Sequence, residues 1–262
     1  RSQKLLITRG GLLFIIGLGF SQIWPADILH FYGVYFILTA LILHIRNNHL
    51  LLLTGATIIL FPVLLLTFNY DQGWDWVTYT YTDFWSINGF FRHLLFNGFH
   101  PVVPWVAFLF FGLWFGRLKL QDHKVQAKLL KCASAIFLVT ESISYAITYY
   151  VVKGIEATKH SDKLAVSLTE SLAEQANAIT EITALLSTSA IPPMPQYLIS
   201  AGSSAVIIII LCVKCCQHVE KNVVIKTLAT TGEMALTLYF SHVLLGMGIL
   251  EALNLHENQT ME

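Results

Sequence analysis

Apolar residues in this chain fall in long continuous runs. A helix crosses a bilayer core with about 20 mostly apolar residues. Seven stretches approach that length: 5–24, 28–45, 49–68, 102–118, 132–152, 196–216 and 234–253. Continuous runs predict helices, whereas a membrane barrel alternates apolar and polar positions. The expectation is an all-α polytopic transmembrane helix bundle, with about seven spans in one transmembrane domain over residues 1–262. Pro62 predicts a kink in the third span. Gly112 and Gly116, and the Ser200, Ala201, Ser204 and Ala205 set, predict faces for close helix packing.

Two long polar-rich segments separate the runs. Residues 69–101 carry Tyr70, Trp74, Trp76, Tyr79, Tyr81, Phe84, Trp85, Phe90, Phe91, Phe96 and Phe99. An interfacial aromatic belt is one reading. The other is a platform for a sugar or lipid headgroup, with Trp74 and Trp76 between Asp71, Asp75 and Asp83 as stacking faces. Residues 153–195 place Leu164, Leu168, Leu172, Ile179, Ile182 and Leu186 at helical spacing. That spacing predicts an outer amphipathic helix, packed over the bundle mouth because it has no basic face for anionic lipid. Ile191-Pro192-Pro193-Met194-Pro195 ends it and launches the next span.

Composition strengthens the membrane reading. Apolar residues make up 55% of the chain and charged residues 12%, about half the charged share of a soluble domain. This excludes a disordered chain, a disulfide-stapled secreted domain and an ordinary cytosolic enzyme. The 16 basic and 16 acidic residues cancel, so no nucleic-acid partner is expected. Their distribution is uneven. Twelve basic residues, from Arg1, Lys4 and Arg9 through Arg46, Arg117 and Lys119–Lys131 to Lys214, Lys221 and Lys226, alternate onto one side, and four onto the other. The positive-inside rule makes the first side cytoplasmic, with the N-terminus inside and the C-terminus outside. Twelve of the 16 acidic residues then lie outside.

Ionisable groups inside a membrane are costly, so each is a candidate site. Glu141 lies halfway along the fifth run, and His242 near the middle of the last. Each reads equally as a functional proton carrier or as a structural hydrogen-bond partner between helices. Asp27, His30, Arg92, Asn97 and His100 all fall near the outer leaflet; whether they converge on one pocket is a question for the three-dimensional structure. The catalytic candidates are therefore His100, His30, His242 and Glu141. The substrate-binding candidates are Asp27, Trp74, Trp76, Arg92 and Asn97. No set of His, Cys or Asp has metal-ligand spacing, so no metal is expected.

Four ordered segments carry a resemblance. They are Trp24-Pro25-Ala26-Asp27-Ile28-Leu29-His30-Phe31-Tyr32-Gly33; Asn97-Gly98-Phe99-His100-Pro101-Val102-Val103-Pro104-Trp105 with Phe111-Gly112-Leu113-Trp114-Phe115-Gly116-Arg117; Pro192-Pro193-Met194-Pro195 with Ser200-Ala201-Gly202; and Thr231-Gly232-Glu233-Met234-Ala235-Leu236-Thr237-Leu238-Tyr239 with Ser241-His242. In this order they resemble the YeiB-like bacterial multi-pass membrane proteins related to heparan-alpha-glucosaminide N-acetyltransferase. Members of that family usually begin with a helix carrying Asp-x-x-Arg-Gly, followed in the acetyltransferase branch by an Asn and the catalytic His. Here Arg9-Gly10 is the candidate for the Arg-Gly pair, and Leu6 stands where the Asp is expected. The resemblance thus implies that about two N-terminal helices of the family are missing from this sequence, and with them its catalytic His.

What the resemblance implies is acyl transfer at the membrane. Acyl-CoA, in the form of acetyl-CoA, is the expected donor, and an extracytoplasmic carbohydrate or envelope component the expected acceptor. The lipid bilayer is the other expected partner, with a homo-oligomer as a further option, and the bacterial inner membrane is the expected location. Two other readings stay open. One is a proton-coupled transporter or flippase, motivated by Glu141 and His242. The other is a non-catalytic membrane partner.

Overall fold

The structure is a computed structural model that describes residues 2–22, 24, 26–161, 186–218 and 223–252. Helices dominate: α1 (Ser2–Phe20), α2 (Leu29–Ile42), α3 (Asn47–Thr67), α4 (Ile87–Arg92), α5 (Val102–Phe115), α6 (His123–Ser161), α7 (Pro195–His218), α8 (Val223–Glu233) and α9 (Ala235–Ala252). Two short antiparallel strands, β1 (Trp74–Asp75) and β2 (Thr80–Tyr81), form a hairpin inside the first long loop. The chain divides into two compact units, Arg1–Ile210 and Leu211–Glu262.

Among the described residues, four helices are long and apolar enough to cross a membrane, over Ser2–Phe20, Asn47–Thr67, His123–Tyr150 and Pro195–Gln217. A fifth crossing is available if Ile87–Asn97 and Val102–Phe115, which meet at 46°, count as one broken span. Seven full spans were expected. The difference lies in short elements. The run 28–45 yields only the 14 residues of α2, about 21 Å of helix against a core of about 30 Å. In the last run α9 extends over the 18 residues Ala235–Ala252, of which Ala235–Gly246 was found as an apolar helix among the described residues. The protein is nonetheless an integral membrane protein by these helices. Side chains such as Leu52 (69% exposed) and Ile59 (68% exposed) on α3 face outward, as lipid-facing residues do.

The first unit is built around two close helix pairs. In α1 and α2, glycines let the backbones touch. A Cβ on Gly33 would stand 2.6 Å from the Cβ of Phe14 and 2.7 Å from the Gly10 carbonyl oxygen, and one on Gly17 would collide with the backbone nitrogen of His30. This packing seats the start of α2. The α3–α5 pair packs around Phe61, Phe96 and Met194, while Phe31, Leu94, Val102 and Val106 form a second core between α2 and α5. A third core joins Phe115 to Ala133, Val206 and Ile210. The predicted Gly112–Gly116 face does not serve close packing, since space around Gly112 is open. α3 continues through Pro62 to Thr67.

One end of this unit is closed by Arg117. Its guanidinium donates to the carbonyls of Ile45 (2.6 Å) and Leu43 (2.8 Å) and to Asn47 Oδ1 (2.8 Å). It therefore satisfies the carbonyls left unpaired where α2 ends. The Arg46 and Arg117 end of the chain is thus one end, and His30, the hairpin and Asn97 gather at the other.

Residues 87–97 were expected to be loop. Instead Ser86 caps a helix, its hydroxyl accepting from the Gly89 N–H at 2.9 Å. The helix widens into a π-helical turn over His93–Asn97, closed by Gly98 N–H to the His93 carbonyl at 2.9 Å. Wide turns of this kind are frequent at functional sites. The expected amphipathic helix falls mainly on residues 162–185, which lie outside the described residues.

The second unit contains the end of α7 and the helices α8 and α9. α8 and α9 meet at Met234, whose N–H donates to the Thr231 carbonyl at 3.1 Å.

Candidate functional site

The site begins at the first turn of α2. Asp27 Oδ2 accepts the backbone N–H groups of Leu29 (2.9 Å) and His30 (3.4 Å) and lies 3.2 Å from His30 Nδ1. Both side chains are buried. An ionised carboxylate only accepts, so it selects the imidazole tautomer with the proton on Nδ1. His30 Nε2 is then an acceptor, and it is buried without a hydrogen-bond partner among the described residues. This is the arrangement in which a carboxylate orients a histidine base.

The His30 ring stacks at 5.9 Å on His93, with the planes 23° apart. His93 is the residue that sequence reasoning missed. It was passed over as a neighbour of Arg92, and only the π-helical turn brings it inward. It is 2% exposed, with Nδ1 also unpartnered. Around it stand Tyr81 at 4.7 Å, Phe84 at 5.0 Å, Phe31 at 5.5 Å and Trp74 at 5.9 Å between ring centroids. His100 lies 6.1 Å from Phe31 and packs 5.0 Å from Trp105. Its carbonyl accepts from the Tyr35 hydroxyl at 2.9 Å.

Asn97 hangs the hairpin over this cluster. Its Nδ2 donates to the carbonyls of Tyr70 (2.8 Å) and Gln72 (2.9 Å), its Oδ1 accepts from the Tyr81 hydroxyl (3.0 Å), and its carbonyl accepts from Trp74 Nε1 (2.6 Å). Arg92 Nε donates to the Tyr81 oxygen at 2.7 Å and Nη2 to Asp83 at 3.1 Å. Burial raises the Tyr81 pKa, against the opposing pull of Arg92, so the phenol keeps the proton it gives to Asn97. Gly73 makes this closure feasible. Its φ is +88°, and a Cβ there would stand 2.8 Å from both Arg92 Nη2 and the Tyr81 ring. Asn97 and Arg92, expected to bind substrate, are here engaged in holding the loop.

Trp76 stacks on Trp74 at 4.7 Å and donates to Asp71 at 2.8 Å. Beneath the hairpin is a cavity of about 150 Å³ lined by Ser21, Gln22, Trp74, Thr80, Tyr81, Phe84, Trp85 and His93. A larger cavity of about 320 Å³ lies between α3, α5, α6 and α7, lined mainly by aliphatic and aromatic chains such as Phe111, Trp114 and Val206. The smaller one has a histidine, His93, in its wall, whereas the larger has none.

The remaining candidates sit elsewhere. Glu141 on α6 accepts a short hydrogen bond from Ser200 on α7, a contact between helices. His242 belongs to the second unit, is exposed, and places Nδ1 3.2 Å from the Leu238 carbonyl of its own helix. No group of three metal-ligating side chains occurs among the described residues.

The family model described as heparan-alpha-glucosaminide N-acetyltransferase, catalytic, matches residues 11–154. No curated protein and no solved structure matches the chain. The matched stretch contains Asp27, His30, His93 and the whole aromatic cavity. It also covers more than half of the chain, which therefore belongs to the heparan-alpha-glucosaminide N-acetyltransferase catalytic family.

Proposed function

We propose that the protein transfers an acyl group from acyl-CoA to an extracytoplasmic carbohydrate or envelope acceptor, in a bacterial inner membrane. The observation that carries this reading is the aromatic-walled cavity with a histidine in its wall, within the stretch that matches the family. Aromatic faces stack on the apolar faces of sugar rings, while a nearby imidazole suits removal of a proton from a hydroxyl or amine. The Asp27–His30 pair supplies a fixed carboxylate behind that wall. Acetyl-CoA is the expected donor, since the family is named for acetyl transfer. The cavity lies at the end of the helices assigned to the outer side by the basic residues at the opposite end, Arg46 and Arg117 among them.

The test is to incubate the full-length protein in membranes with labelled acetyl-CoA and a panel of amino sugars and envelope glycans. Protein-dependent transfer of label to a sugar amine or hydroxyl is the expected result. No transfer across the panel overturns the reading.

A further inference from the structure

We propose that the larger cavity, a groove between α3, α5, α6 and α7, holds one acyl chain of an anionic phospholipid, whose phosphate is met by a lysine stripe at the start of α6. This site is separate from the cavity beneath the hairpin and needs no acyl transfer.

The wall of the groove selects hydrocarbon. Its volume is about 320 Å³, and among the described residues only two hydroxyls line it, those of Thr54 and Ser203. Both are engaged by their own helices. Thr54 donates to the Leu50 carbonyl at 2.9 Å, and Ser203 to the Ile199 and Ser200 carbonyls at 2.8 and 2.9 Å. A sugar, or the amide-bearing arm of coenzyme A, would bury polar groups there without partners, which is costly. Apolar cavities stay dry and accept apolar guests. The lining follows α7 from Leu198 to Val206, about 12 Å at 1.5 Å per residue, a length that suits a chain. α3, α6 and α7 are long and apolar enough to cross the membrane, so the medium around them is lipid. The groove is open to it, since Ile136 and Ile199 in its wall are 48% and 39% exposed.

Charge marks the headgroup end. Lys124, Lys128 and Lys131 stand three and four residues apart, so they share one face of α6. Lys128 is one turn before Cys132, an exposed residue of the groove wall, so the stripe leads to its mouth. All three lysines are exposed. The ion pairs among the described residues are His30–Asp27 and Arg92–Asp83, so no carboxylate there neutralises the stripe. Asp122, just before it, accepts the Lys124 backbone N–H at 2.8 Å. A lysine stem lies along apolar surface while its ammonium reaches a headgroup, and basic pockets between spanning helices hold acidic headgroups. A neutral lipid would fill the groove and leave the stripe unmatched.

The experiment places the full-length protein in phosphatidylcholine vesicles containing a minor fraction of lipid brominated on its chains, either phosphatidylglycerol or phosphatidylcholine. Bromine quenches tryptophan fluorescence on contact, and Trp114 lines the groove. Brominated phosphatidylglycerol is expected to quench wild type more strongly than brominated phosphatidylcholine, and Trp114→Phe to abolish the difference. Each lysine beside an acidic headgroup contributes about fivefold in binding. The combined Lys124→Gln, Lys128→Gln and Lys131→Gln variant is therefore expected to bring phosphatidylglycerol down to the phosphatidylcholine level. Gly202→Leu fills the groove without touching the lysines, because the added Cβ meets Phe108 at an ordinary 3.5 Å. It too is expected to remove the excess. Equal quenching of wild type by the two lipids overturns the proposal. So does an excess that survives in a folded Trp114→Phe, Gly202→Leu or triple lysine variant. Coenzyme A and inorganic phosphate, added in turn, are expected to leave the excess unchanged. Relief of quenching by either assigns the site to that ligand and overturns the lipid. None of these readouts requires turnover, so absence of acyl transfer leaves them decisive.

Discussion

Asn97 commits both amide hydrogens to loop carbonyls, and its oxygens hold Tyr81 and Trp74. Asn97→Ala therefore leaves several buried polar groups unpaired, each costing about 1–3 kcal/mol. A clear drop in the thermal midpoint in detergent is expected, together with protease cleavage between Trp74 and Tyr81. A midpoint equal to wild type would show that the loop is held by other means. At this scale the sequence was partly legible. Asp27, His30, Trp74 and Asn97 were singled out because polar and aromatic groups beside a membrane segment are costly or stacking residues. Their division of labour was not, since a buried amide that binds substrate and one that pins a loop have the same neighbours in sequence. His93 was missed because His beside Arg in a presumed loop carries no periodic signal; its inward turn is a product of the π-helical geometry.

The α1–α2 pair shows how an element sets the site. Gly17 lies against the backbone of His30, where any Cβ collides with main chain, while Gly19 has nothing within 4 Å. Gly17→Val should force α1 off α2, and overpacking of this kind costs about 1–3 kcal/mol. Gly19→Val is the matched control and should behave as wild type. The two thermal midpoints check this, and equal values would contradict the close approach. Composition could not identify this seam. It drew attention to Gly112–Gly116, which shares the small-residue spacing but faces open space. Glycine spacing alone does not say which helix comes near. The same limit explains α2, whose apolar run suggested a full span. Its ends are fixed by the Asp27 turn on one side and by Arg117 gripping the Leu43 and Ile45 carbonyls on the other.

Across the whole first unit, the Arg117 corner and the hairpin mark opposite ends, which makes the inferred orientation testable. In a variant with the four exposed native cysteines replaced by Ser, Val77→Cys is expected to react with an impermeant maleimide in intact cells. Lys124→Cys is expected to react only after lysis. The reverse pattern would invert the topology. Hydropathy made the membrane class legible because lipid imposes one constraint on every exposed side chain. Its seven runs exceed the four to five long apolar helices among the described residues, because hydropathy cannot see a helix end that a side chain enforces, nor a break such as the one between Asn97 and Val102. The hairpin adds a practical consequence. Its base is tied by Trp74 and Tyr81, but the hydrogen bonds recorded for Val77 and Thr78 remain within the tip, to Asp75 and Thr80. A short epitope inserted after Val77, which is 91% exposed, would leave both cavity walls anchored. The tip is thus a ready handle for an antibody fragment, giving a small, lipid-embedded particle the external landmark needed to align its images.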